Sequence, residues 1–158
     1  MALGDVKIVS PGGNNLPPSQ KFLVAAAATT INAGEPVAIT GTFAIPLADA
    51  LPTVASPIMV GIASSTSNQT ASTVGEVWVD LAVDGLVLEC AALSFAAVDT
   101  QAEIDAMLNN LVLFNLASGV YTIDTAVVAA GNGLRIVGGN PTQGSVQVLV
   151  RSTATALA

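Results

Sequence analysis

Apolar and polar residues alternate most regularly near the middle of the chain. Val77, Val79, Leu81 and Val83 take one side, and Glu76, Trp78, Asp80 and Ala82 take the other. A period of two is that of a strand with one buried face, so this stretch is predicted as a strand that turns Trp78 away from the core. Val146, Val148 and Val150 repeat the pattern in a last strand over 146–151. Shorter apolar runs lie at 22–27, 37–40, 43–47, 58–63, 111–116, 120–124 and 134–137, most of them with Gly, Pro or Asn at one end or both. Turns are predicted at Asn32–Pro36, Gly41, Ser118-Gly119 and Gly138-Gly139-Asn140-Pro141. Pro46, Pro52 and Pro57 mark a loop-rich crossing, and the polar stretch Ser64–Ser72 reads as an exposed loop.

One segment follows the helical period instead. Thr100-Gln101-Ala102-Glu103 has capping-box spacing, and Ile104, Met107, Leu108 and Leu111 recur along one stripe until Asn109-Asn110 ends it. The fold expected is therefore mainly β, a compact barrel-like or sandwich-like body with one short α-helix. Residues 1–20 differ. A strand-like piece, Val6–Val9, runs into Ser10–Ser19, whose two Gly, two Asn and three Pro oppose regular structure. The expected organisation is an extended N-terminal arm over 1–20 and a single β-rich domain over 21–158. The arm reads either as a loose terminus or as a segment that pairs with an open sheet edge on a partner.

Composition narrows the function. Only 9% of the 158 residues are charged and 52% are apolar, against about 25% charged in ordinary soluble domains. The mean hydropathy is +0.69, yet no apolar run is long enough to cross a membrane. A surface so poor in charge points to burial against other protein, as in a building block of an assembly. The net charge is −7, and the four basic residues, Lys7, Lys21, Arg135 and Arg151, cannot make the basic patch that nucleic acid requires. Neither nucleic acid nor membrane is expected as a partner. The start, Met1–Lys7, lacks the basic and apolar regions of a signal peptide, so synthesis in a cytoplasm is expected.

The chain has no His, which removes Ser-His-Asp, Cys-His and His-metal chemistry. Cys90 sits in the apolar run 86–92 without a neighbouring cation, as a buried thiol would. Gly131-Asn132-Gly133 opens like a dinucleotide fingerprint, but Ile136 stands at the third glycine position and a hairpin turn fits better. Asp80 and Asp84, four apart, would share a strand face and could hold Ca²⁺, but Asp84-Gly85 is also a turn pair and no third ligand is evident; Asp49 sits in the loop Leu47–Leu51. No catalytic, cofactor or metal site is expected, and no enzyme. The surface contacts expected are Trp78 with Asn68 and Gln69 of the polar loop.

The order of several segments adds a resemblance. Ala2–Lys7, Ser19–Val24, Ala33–Val37, Ile45–Asp49, Val60–Ala63, Asp99–Leu108 and Gly133–Gly139 together resemble the capsid decoration, or cement, proteins of tailed bacteriophages. The resemblance covers most of the chain. It implies a β-rich virion protein, often a trimer, on the outer surface of the mature icosahedral capsid and made in the bacterial host cytoplasm. Its partners would be the major capsid protein and further copies of itself. It also implies that the arm reaches out to pair with capsid strands, which here would engage Asp5, Val6, Lys7, Ile8, Val9 and Leu16. The alternative is a virion surface fibre base or receptor- or glycan-binding module that uses Trp78 and the polar loop.

Overall fold

The structure is a computed structural model that describes residues 6–9, 17–83 and 86–156. Strands β1 (Lys7–Val9), β2 (Ser19–Val24), β3 (Pro36–Thr40), β4 (Phe43–Pro46), β5 (Met59–Ala63) and β6 (Gly75–Leu81) form the first half. They are followed by β7 (Val87–Ala91), helix α1 (Gln101–Met107), β8 (Leu111–Ala117), β9 (Val120–Asp124), β10 (Leu134–Asn140) and β11 (Ser145–Val150). The protein is thus mainly β with one short α-helix, as its alternation predicts.

Two sheets are built from these strands. β2-β4-β3-β5-β6 closes into a barrel, and β1-β7-β11-β10-β8-β9 forms a six-stranded sheet. That second sheet curls until Ala92 bridges Ile123 and the Leu93 amide donates to the Ile123 carbonyl, tying β9 back to the end of β7. Val24, Val37, Ala44, Val60, Val77 and Val79 fill the small barrel. A larger core is shared between the two sheets: Ala38, Leu47, Met59, Ile62 and Ala82 come from the barrel side and Leu88, Cys90, Phe114, Tyr121 and Ile136 from the other.

The position of β5 between two cores explains its sequence. Met59 and Ile62 enter the shared core while Val60 and Ala63 enter the barrel, so every residue of the strand is buried and no polar alternation survives. The pairing register with β3 skips a residue at Val60, from Gly61 opposite Val37 to Met59 opposite Ala38. This is a β-bulge, and it re-aims the strand.

Local chemistry sets the turns and the cap. Ser118 (φ 52°) and Gly119 (φ 78°) join β8 to β9 with both central residues left-handed, as a two-residue hairpin of the I′ kind requires. At α1 the Thr100 hydroxyl accepts from the Glu103 amide while the Glu103 carboxylate accepts from the Thr100 amide, completing the capping box. The Thr100 hydrogen bonds, with a contribution from Asp99, hold the Glu103 carboxyl below its usual range. The adjacent Asp99 is raised by its hydrogen bond to and repulsion from Glu103.

Three expectations are corrected. The helix ends at Met107, so Ile104 alone of the expected stripe is fully buried and Leu108 is 40% exposed; Leu111 already belongs to β8. Gly138-Gly139-Asn140 is strand rather than turn, and the turn falls on Pro141–Gly144. Glycine is required at 139 for packing: a Cβ there would lie 2.6 Å from the Ser145 carbonyl and 3.0 Å from Ile104 Cδ1, so Ile104 of α1 packs on bare backbone at that point of β10. The alternation of β6 also reverses after Leu81. The Val83 amide donates to the Leu81 carbonyl and the Ala82 amide to Val60, a tight three-residue turn that buries Ala82 and leaves Val83 37% exposed.

Candidate interaction surfaces

Of the residues expected to reach a partner, Lys7, Ile8 and Val9 lie instead in the protein's own sheet, with Val6 beside them. β1 runs antiparallel to β7, with Lys7 opposite Glu89, Ile8 opposite Leu88 and Val9 opposite Val87. Val6 is 4% exposed in the shared core, its amide donates to the Gly34 carbonyl at 3.1 Å, and Ile8 packs against the same core. The physical reason is that Val6 and Ile8 find apolar burial beside the vacant flank of β7. β2 begins at Ser19, inside the range expected for the arm, whereas Asp5 and Leu16 lie outside the described residues. β1 stands last in its sheet, with β7 as its strand neighbour. The other sheet is closed.

Trp78 faces outward as its position in the alternation requires and is 50% exposed. It lies opposite Lys21 in the β2–β6 register, next to the exposed Leu23, and the Lys21 ammonium pairs with the Glu76 carboxylate at 2.9 Å. The polar loop expected to lie free beside it is pinned instead. The Ser65 hydroxyl accepts from the Trp78 amide at 3.0 Å and Asn68 Oδ1 accepts from the Glu76 amide at 2.8 Å. Ser67 exchanges bonds with Ile31, and Gln69 Nε2 donates to the Ala28 carbonyl. Asn68 and Gln69 thus extend the barrel's hydrogen bonding past the end of β5. A Ser/Asn-rich run after a strand is a signal for such side-chain-to-backbone closure.

A third surface has no counterpart in the sequence reading. Asp49, Ala50, Leu113, Asn115, Asp124 and Val127 line a cleft of about 90 Å³. Asp49 Oδ1 accepts from the Leu116 amide at 2.8 Å and Asp124 Oδ1 from the Ala126 amide at 2.9 Å. Asn115 Oδ1 is shielded from solvent and has no hydrogen-bond partner. Asp49 and Asp124 are 75 positions apart, so no local spacing announces them.

The remaining candidates have structural roles. Asn132, in the segment that opens like a dinucleotide fingerprint, donates through Nδ2 to the Leu111 and Val127 carbonyls. Gly133 leads into strand β10 rather than a helix, and β10 pairs with β8 and β11, so the segment is a loop and not the expected hairpin turn. Asp84 lies outside the described residues. Among the described residues no three His, Cys, Asp or Glu side chains gather as a metal site, and no helix is long and apolar enough to cross a membrane.

Cys90 is fully buried and its Sγ approaches the Tyr121 carbonyl at 3.5 Å. Burial pushes the thiol up to about 12, and burial, with the Glu35 charge second, raises the Tyr121 phenol. Both groups hold their protons more tightly folded than unfolded, so stability is full below pH 9 and falls as pH rises from there towards 12. Urea midpoints measured at pH 7, 9.5 and 11 should decline in that order, and Cys90→Ala should flatten the decline. An unchanged midpoint at pH 11 would contradict this burial.

No family model, curated protein or solved structure matches this chain.

Proposed function

We propose that this protein is a structural component of a virion that binds the outside of a mature icosahedral capsid and stabilises it, acting as a decoration protein in trimers at threefold positions. The observation that carries this reading is the placement of β1. A short N-terminal strand ends a sheet whose far side is tied back on itself, beside a barrel that is closed. The outer edge of β1 is therefore where a strand of a capsid subunit would add, by the backbone pairing that sheet edges invite. Low charge and exposed apolar side chains such as Trp78, Phe95 and Val128 favour neighbours over open solvent.

Stabilisation in this reading is mechanical. A cap that bridges several capsid subunits adds buried area available only in the expanded shell, at about 25 cal/mol per Å² of apolar surface before binding costs. Three linked sites convert modest single contacts into durable attachment. The fibre-base or receptor-module reading is favoured only by the outward Trp78, since Asn68 Oδ1 and Gln69 Nε2 beside it are spent on backbone groups. Copy number separates the two. Quantitative gel or mass-spectrometric measurement on purified particles should give hundreds of copies per virion; a few dozen or fewer would overturn the decoration reading in favour of a fibre base.

A further inference from the structure

The loop after β9 is unusual in what it exposes. Ala126-Val127-Val128-Ala129-Ala130-Gly131 contains no polar side chain and every residue in it is exposed, with Val127 49% and Val128 50% accessible. Val54, 40% exposed, joins it through a hydrogen bond from its amide to the Gly131 carbonyl.

Exposed apolar loops are normally loose, but this one is held. Arg151 Nη1 donates to the Ala130 and Asn132 carbonyls at 3.0 and 2.9 Å. Asn132 Nδ2 holds the Val127 carbonyl, and the Ala129 amide is tied to the Leu111 carbonyl. A backbone ordered in advance presents its apolar side chains without the entropy cost of ordering on contact.

Next to this loop, sharing Val127, lies the cleft between Asp49 and Asp124. The charged groups on its lining are the carboxylates of Asp49 and Asp124, and each gives one oxygen to a backbone amide and keeps the other. A group rich in donors and positively charged satisfies that set, and a planar guanidinium reaches several acceptors at once.

We propose that the cleft between Asp49 and Asp124 and the apolar loop over 126–131 form one docking surface for a different protein, which inserts an arginine side chain into the cleft and covers the loop with apolar residues. Charge selects this occupant over a second copy. Each copy carries a net charge of −7 with four basic residues. Of those four, Arg151 is committed inside the loop and Lys21 is paired with Glu76, which leaves Lys7 and the exposed Arg135 against eleven carboxylates in each copy, so two copies repel more than they attract. If the decoration reading holds, this surface is a second contact to the shell besides the edge of β1, but the cleft's chemistry does not depend on that reading.

The test uses the full chain and a defined probe. N-acetyl-arginine amide and its neutral isostere N-acetyl-citrulline amide are titrated separately into ¹⁵N-labelled protein. The arginine probe should give saturable shifts at the amides of residues 49–50, 115, 124 and 127, the citrulline probe none. Asp124→Asn should weaken the arginine response roughly tenfold or more, as loss of a charge-assisted pair requires. Asp105→Asn, on the exposed face of α1, should leave the response unchanged, and the comparison of the two probes on the unmodified protein keeps the test valid if Asp124→Asn misfolds. Shifts spread over all surface carboxylates, equal responses to both probes, or self-association in place of probe binding would overturn the proposal. Since no capsid is present, a failure here is distinct from a failure of shell binding.

Discussion

Phe114→Ala should lower the melting temperature by on the order of 10 °C. Phe114 is fully buried at the centre of the shared core, and its ring meets Tyr121 edge-on, with centroids 6.0 Å apart and planes at 82°. Truncating such a side chain costs about 3–5 kcal/mol, the lost transfer free energy plus the cavity left behind. Each kcal/mol moves the midpoint of a domain this size by roughly 2–4 °C. The loss reaches beyond one side chain. Tyr121, which packs against the ring, donates its hydroxyl to the Leu47 carbonyl, and the Phe114 backbone pairs with Ala50 and Leu51. The ring thus supports the junction of barrel and sheet. Phe114→Leu, which keeps most of the volume, should cost about 1 kcal/mol. Equal losses for Ala and Leu in calorimetry would mean that backbone disruption, not the cavity, sets the cost.

Gly61→Ala should be more damaging still, with little folded protein recovered. A Cβ at position 61 would run into the Asp80 carbonyl oxygen and lie 2.9 Å from both Asp80 C and Val79 Cγ1. These are largely backbone atoms of β6, and neither strand can withdraw: β5 is buried between two cores and β6 closes the barrel against β2. Overpacking normally costs about 1–3 kcal/mol, and a clash with immovable backbone belongs at or above the top of that range. Gly131→Ala is the control, because a Cβ there meets nothing within 4 Å. Far-ultraviolet circular dichroism and soluble yield of the two variants decide the point. A well-folded Gly61→Ala with an unshifted melt would show that β5 and β6 are not so closely joined.

Much of this architecture is legible along the chain because it depends on local signals. The Thr100–Glu103 cap, the Ser118-Gly119 hairpin and the valines of β11 follow from neighbouring residues, and each lies where those residues place it. What depends on distant partners is not legible. The reversal at Ala82 follows from where the second sheet stands. The glycines at 138 and 139 resemble a turn until Ile104 is seen packed on one of them. Val6–Val9 looks unanchored until β7, some 80 residues later, supplies its neighbour. The cleft is hidden for the same reason, since Asp49 and Asp124 meet only through the packing of the barrel's exit loop against β8 and β9. Conversely, Asn68 and Gln69 read in the sequence as exposed contact residues, and their bonds to the barrel give them a structural role.

Capsid binding is the central claim, and co-sedimentation with expanded, decoration-free shells tests it most directly. Wild-type protein is compared with a chain lacking residues 1–9, whose retained fold is first checked by circular dichroism. The wild-type chain is expected to saturate expanded shells at hundreds of copies, to leave unexpanded shells bare, and to lose binding when β1 is removed. Wild-type protein that stays in the supernatant with expanded shells would contradict the decoration reading outright.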